Sequence, residues 1–231
     1  MKILAVDSSA KACSVSLVDE DKILGEFFIN TSLTHSQTLV PMIDAVLKNT
    51  STDIKSVDAF AVSAGPGSFT GVRIGVAAIK GMAMPLDKPC YSVSTLEAMA
   101  YNLRGENCVA CAVMDARCNQ VYNALFLIKN GKITRLCDDR ALSIDELAED
   151  LKSYNVKTVL VGDGAQLCYN SYKELSCDIE LAPEQQRYQR ASGVAFAALT
   201  KEPMTAESLM PTYLRLPQAE RELKKRLESQ K

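Results

Sequence analysis

Histidine occurs once in these 231 residues, at position 35. A lone imidazole cannot build a metal site that needs two of them on one helix face. A Ser–His nucleophile fares no better, because "GPGSFTG" is not a nucleophile elbow. Charge of one sign is also scarce: 26 Lys and Arg against 28 Asp and Glu give a formal net charge of −2, with no basic footprint for binding nucleic acid unaided. No apolar run reaches membrane-spanning length, and "MKILAVDSS" meets Asp7 before a signal-peptide core forms, so a cytoplasmic chain is expected. A second C-x-x-C is missing too. The eight cysteines are scattered through apolar stretches and read as reduced, mostly buried thiols. Cys108 and Cys111 lie in the strand-like run "NCVACAVMDA", where residues three apart point to opposite faces. Two core thiols are expected there, not a redox or zinc knuckle.

What is present is a repeat. The first half reads as strands at 3–9, 13–18 and 22–30, a helix at 36–48, a strand at 59–65 and a helix at 70–83. The second half has strands at 107–115, 119–128 and 132–137, a helix at 143–152, a strand at 156–161 and a helix at 165–174. "KACSVSLVDEDKILGEFFIN" alternates as a half-buried hairpin does, and "KNGKI" supplies a two-residue hairpin turn. Thr34 with Gln37, Ser94 with Glu97 and Ser143 with Glu146 have capping-box spacing at helix starts. Three strands, a crossover helix, a strand and a helix, done twice, predict an α/β protein of two duplicated mixed-sheet lobes, residues 1–104 and 105–231. A helix at 94–103 bridges them, and the stretch near 191–200 is expected to return to the first lobe or the hinge. The charged end "ERELKKRLESQK", with Leu223 and Leu227 one turn apart, reads as a solvated or partner-dependent tail.

Asp7 and Asp115 occupy matching places, each ending the first strand of its half. Two roles are open to each: holding a metal–nucleotide complex in a cleft between the lobes, or capping its own turn. In "SAGPGSFTGVRIG", Gly65 and Gly67 permit unusual backbone angles, Pro66 stiffens the turn, and Ser68 or Thr70 is placed to cap the following helix. Free N–H groups there suit an anion, although the loop lacks the lysine of a Walker A motif. The candidate nucleotide or anion site is therefore Asp7, Ser8, Ser9, Gly65, Gly67, Ser68, Thr70 and Asp115.

The helix that follows carries two stripes, Gly71, Gly75, Ala78 and Met82 beside Val72, Val76, Ile79 and Ala83, with Arg73 and Lys80 as its polar seam. A helix apolar on two sides needs two packing surfaces. One is its sheet; the other is the helix at 36–48 and, beyond it, a second protein. The expected partner surface is Leu39, Met42, Ile43 and Val46 with Val72, Arg73, Gly75, Val76, Ala78 and Ile79, centred on Gly75 and Ala78. The alternative is that both helices are buried between the lobes.

"ILAVDSS", "HSQTLVPMI", "SAGPGSFTGVRIG", "MDARCNQVY" and "PTYLR" together resemble the TsaB (YeaZ) family over the whole chain, with "VGDGA" (161–165) as a further anchor. The resemblance implies the fold shared by hexokinase, actin and the heat-shock chaperone ATPases. It implies a non-catalytic subunit that heterodimerises with a TsaD-type paralogue. That paralogue transfers a threonylcarbamoyl group from its adenylate to the adenosine beside the anticodon, in tRNAs reading codons that begin with A. A TsaE-type ATPase completes the set, and tRNA is met only through the complex. Alone, the chain is expected to form a homodimer through the same helices. No cofactor is required, and weak ATP or ADP contact at the complex interface is all that the Gly-rich turn suggests. The paralogue's metal is held by two histidines one helical turn apart; His35 alone cannot match them and is expected to cap or hinge a helix. The enzymatic rival is a small-molecule kinase, or another ATP-binding enzyme of the same fold, with Asp7 or Asp115 on magnesium.

Overall fold

The computed structural model describes residues 1–154, 156–172 and 178–215. The charged tail at 220–231 and the last two residues of the expected 165–174 helix lie outside the described residues.

The first sheet opens with β1 (Lys2–Asp7), β2 (Cys13–Asp19) and β3 (Lys22–Ile29), paired antiparallel in succession. Helix α1 (His35–Asn49) crosses to β4 (Ala59–Gly65), parallel to β1, and α2 (Phe69–Ala83) crosses to β5 (Cys90–Ser94), parallel to β4. Helix α3 (Thr95–Tyr101) leads to the second sheet. There β6 (Cys108–Arg117), β7 (Gln120–Lys129) and β8 (Lys132–Arg135) are antiparallel, and β9 (Arg140–Ser143) pairs with the start of β7. Helix α4 (Ile144–Leu151), β10 (Thr158–Val161), α5 (Ala165–Ser171) and β11 (Ile179–Leu181) complete it. The strand orders β3-β2-β1-β4-β5 and β8-β7-β6-β10-β11 are the same order twice. This duplicated mixed-sheet plan is the one the sequence repeat predicts. Strands β5, β9 and β11 are short, only three to five residues each, too short for a period to mark them.

Helices α1 and α2 cover one face of the first sheet, so β1 and β4 are buried on both sides and read as near-continuous apolar runs. The other face is covered by α7 (Ala191–Ala198), reached through the short α6 (Glu184–Arg187). Every residue of α7 is buried, and its small side chains let α3 approach closely: a Cβ on Gly193 would fall on the Ala98 carbonyl. Residues 191–198 thus pack with the first lobe although the chain has already built the second. Helix α3 and the turn after it also present Leu96, Met99 and Leu103 to the second sheet, whose far face carries α4 and α5. Cys108 and Cys111 are buried on opposite faces of that sheet.

Beyond α7 the chain straps across the first lobe. Met204 bridges to Cys90, the Lys80 Nζ donates to the Glu207 and Leu209 carbonyls, and the Thr212 N–H donates to the Ala64 carbonyl. The caps divide three ways. Ser143 and Glu146 form the full capping box at α4. Ser94 accepts the Glu97 N–H, but the Glu97 carboxylate turns to two cations instead. Thr34 precedes α1 without a side-chain cap, its hydroxyl meeting Ser36 instead, which corrects the expected Thr34–Gln37 box. Among the described residues no helix is long and apolar enough to cross a membrane.

Candidate functional site

A cleft of about 630 Å³ opens between the lobes, where the carboxyl ends of β1, β4, β6 and β10 meet. Its walls are the β1–β2 turn at Ser9–Lys11, the Gly67–Thr70 start of α2, the β6–β7 turn at Asp115–Arg117, Asp163, and the strap at Thr212–Arg215. That volume is in the range of small-molecule sites.

Asp7 does not reach this space. Its carboxylate is fully buried behind the turn, taking the Ser9 N–H at 2.9 Å and the Ser9 hydroxyl at 2.7 Å on one oxygen. The Ser63 hydroxyl donates to the other at 2.5 Å. Burial pushes the Asp7 carboxyl up, against the opposing pull of the Ser63 and Ser9 hydrogen bonds. Of the two roles open to it, Asp7 takes the second and closes its own turn. Asp115 does line the cleft, and its Oδ1 accepts the Arg117 backbone N–H at 2.7 Å.

Ser8 and Gly65 also stand behind the wall. Ser8 is buried and donates its hydroxyl to the Gly71 carbonyl at 2.9 Å, tying the turn to α2. Gly65 has φ +125°, and a Cβ there would fall on the Thr212 carbonyl. Gly67 has no such angle; glycine is needed because a Cβ would strike the Ser9 carbonyl. Ser68 caps α2 by accepting the Gly71 N–H, settling the choice between Ser68 and Thr70. Ser9, Gly67, Ser68, Thr70 and Asp115 are thus brought together at the cleft, while Asp7, Ser8 and Gly65 form the frame behind it.

Asp163, in the "VGDGA" stretch, also lines the cleft, outside the expected site residues. Burial pushes its carboxyl up to about 6, partly offset by the Gln189 amide, which donates to Oδ1 at 2.8 Å. The internal repeat held the signal: "GDGA" follows β10 as "GPGS" follows β4, and Gly162 shares the positive φ of Gly65 at +116°. Phe69 and Tyr213 stack at the mouth with ring centroids 4.9 Å apart. The Arg73 guanidinium lies 3.7 Å over Phe69 and its Nε donates to the Tyr213 hydroxyl.

Asp115 and Asp163 are the carboxylates that line the cleft. Asp7 is spent on its own turn, and the described residues hold no group of three or more His, Cys, Asp or Glu able to share an ion. The same space also carries groups suited to an anion. The first N–H groups of α2 have no intrahelical acceptors, and Lys11, Arg117 and Arg215 border the same space. His35 is tied down as well, its Nε2 bonded to the Ala10 carbonyl at 2.7 Å and its Nδ1 buried without a partner among the described residues.

The expected partner surface needs a larger correction. Leu39, Met42, Ile43 and Val46 of α1, and Val72, Gly75, Val76 and Ile79 of α2, are all buried in the first lobe's own core. A Cβ on Gly75 would lie 2.6 Å from the Ser8 hydroxyl and 3.2 Å from Val62, so the glycine stripe faces the sheet. Both stripes of α2 point inward, one at the apolar core and one at the β1 turn. Only Arg73 and the half-buried Ala78 of that set reach the outside. The outer face of the pair carries Val40 at 62% exposure, Pro41, Ala77, Gly81 and, just past α2, Met84 at 49%, alongside the polar Ser36, Gln37, Asp44, Lys48 and Arg73.

Comparison with known proteins agrees with this frame. A family model described as TsaD, tRNA N6-adenosine threonylcarbamoyltransferase, matches residues 23–222. The chain is 32% identical over 236 residues to the Bacillus subtilis protein named tRNA threonylcarbamoyladenosine biosynthesis protein TsaB, covering 100% of both. It is 33% identical to the Escherichia coli protein of that name, over 72% of this chain and 73% of the other. The crystal structure of YeaZ from Pseudomonas aeruginosa superposes with a TM-score of 0.78 at 27% identity, over 92% of this chain and 99% of that one. The class that fold and cleft define is thus a two-lobed protein of the TsaD-type superfamily. Within it, the chain belongs to the TsaB (YeaZ) family.

Proposed function

We propose that the chain serves tRNA threonylcarbamoyladenosine biosynthesis as a non-catalytic subunit that holds a TsaD-type paralogue in its working state. The observation that carries this reading is the fate of Asp7. The carboxylate that a kinase of this fold would place on magnesium is consumed by Ser9 and Ser63 inside the turn. The small-molecule kinase reading is left with Asp115, whose Oδ1 already accepts the Arg117 N–H. Lone His35, bonded to Ala10, gives a paralogue-type metal centre no second imidazole.

The partner meets the outer face of α1 and α2. A TsaD-type family model matching residues 23–222 supports a partner of the same architecture, offering a corresponding helix pair. The contact is then a pseudo-symmetric four-helix packing, and a second copy of this chain takes the same face when the paralogue is absent. A standard interface buries about 800 Å² per partner. A TsaE-type ATPase joins the pair, and tRNA is engaged through the complex, in keeping with a net charge of −2. The setting is the cytoplasm. ATP or ADP contact is weak and uses the N–H groups at the start of α2.

The test is Gly81→Glu. A Cβ there meets nothing within 4 Å, so the fold tolerates the change. Light scattering and a binding titration with the paralogue are expected to show a folded monomer that no longer binds. A folded variant that still self-associates and still binds normally would move the partner surface elsewhere.

A further inference from the structure

We infer that Glu97, Arg135, Asp139 and Lys201, with Ser94, form a clamp that fixes the angle between the two lobes and holds the cleft at one width. The residues come from both sides. Ser94 ends β5 of the first sheet, and Lys201 follows α7, which packs on that sheet. Arg135 ends β8 of the second sheet, and Asp139 lies between β8 and β9. Glu97, in the first turn of α3, stands between them.

Two bridges cross the gap. In one, the Glu97 Oε2 receives Lys201 Nζ at 2.8 Å from the first lobe and an Arg135 guanidinium nitrogen at 3.2 Å from the second. In the other, the Ser94 hydroxyl donates to Asp139 Oδ2 at 2.5 Å. Arg135 joins the bridges, since its second nitrogen reaches Asp139 Oδ1 at 2.6 Å, and it lies 4.7 Å over the Phe126 ring. The guanidinium is thus held in a fork between two carboxylates and against an aromatic face, a geometry that a lysine could not keep.

Exposure sets this group apart from ordinary surface pairs. The Glu97 and Asp139 side chains are only 15% and 17% exposed, whereas Lys152 and Glu149, paired on α4, are 48% and 72% exposed. Shielded, networked pairs keep their geometry where exposed ones contribute little. Position gives the clamp its consequence. β5 runs parallel to β1 and β4, so Ser94 stands at the sheet end that borders the cleft. Elsewhere the lobes meet through α3 and α7, with a close seam at Ala98 and Gly193 suited to pivoting, through Ala10 packed in the second lobe's core, and through Arg215 on the Ala116 carbonyl. Tied at the seam and again at the clamp, the two lobes are restrained from rotating about the seam.

The experiment uses the full chain with the exposed Cys118→Ser, and spin labels at Lys48→Cys on α1 and Lys152→Cys after α4, read by double electron–electron resonance. The clamped chain is expected to give one narrow distance distribution. Glu97→Gln and Asp139→Asn are each expected to broaden it and shift its mean, while Glu180→Gln, which breaks a pair with Lys157 inside the second lobe, leaves it unchanged. Circular dichroism establishes that each variant is folded. If Glu97→Gln does not fold, Asp139→Asn decides, because it leaves both Glu97 pairs in place. A distribution unaltered in folded Asp139→Asn, or broadened equally by Glu180→Gln, would overturn the clamp.

Discussion

Three glycines on one helix separate close packing from open surface, and alanine at each makes a matched test. At Gly81 nothing lies within 4 Å of the added Cβ, so only backbone entropy and helix propensity act, a gain of about 0.5–1 kcal/mol. At Gly75 the Cβ would come to 2.6 Å from the Ser8 hydroxyl. Ser8 is 1% exposed and donates that hydroxyl to the Gly71 carbonyl, so rotating it away leaves a buried polar group unpaired, at about 1–3 kcal/mol. At Gly71 the Cβ would overlap the Ser8 carbonyl, which is backbone of the β1 turn and cannot rotate aside. Helix and turn must separate, with an overpacking cost of about 1–3 kcal/mol that outweighs the propensity gain. Each kcal/mol shifts the melting temperature of a chain this size by roughly 2–4 °C. Denaturant and thermal melts are therefore expected to show Gly81→Ala stabilised and the other two destabilised. If all three moved together, the inward orientation of the glycine stripe would be refuted.

The caps give a second contrast: Ser143→Ala is expected to cost about 1 kcal/mol, whereas Thr34→Ala, which removes no cap bond, stays within about 0.5 kcal/mol in the same melts. Asp163 gives a pH signature. Its folded carboxyl titrates at about 6 against an unfolded value near 4, so the folded state holds the extra proton between them; stability is highest below that window and falls as pH rises through it. Asp163→Asn is expected to flatten this fall, and a slope left unchanged in the variant would show that the carboxyl is not raised. Gly75→Glu is expected to unfold the first lobe, seen as loss of the cooperative melt, since it buries an unpaired charge against Ser8 and Val62.

Much of this architecture was legible in the chain. Alternation around Cys13–Ile29 marked the hairpin, apolar periodicity bounded α1 and α2 to within a residue or so, and the duplicated order of elements fixed the two-lobed plan. The orientation of the helix pair was not. A stripe of Gly71, Gly75 and Ala78 suits either a partner helix or the backbone of a neighbouring turn, and periodicity is the same for both. What decided it was Ser8, more than 60 positions away, whose carbonyl and hydroxyl fill the groove. Asp7 was ambiguous for a similar reason: Ser63, which completes its hydrogen bonds, is 56 residues distant. Asp163 was not among the expected site residues because "GDG" alone is a weak motif, and only its place in the second repeat puts it at the cleft.

The most direct measurement of the central claim is threonylcarbamoyl transfer to tRNA from a supplied threonylcarbamoyl adenylate. It compares this chain alone, the TsaD-type paralogue with the TsaE-type ATPase, and those two with either the wild-type chain or Gly81→Glu. The account predicts no transfer by the chain alone, transfer when the wild type joins the other two, and loss of that transfer with a folded Gly81→Glu. Transfer by the purified chain on its own would contradict it.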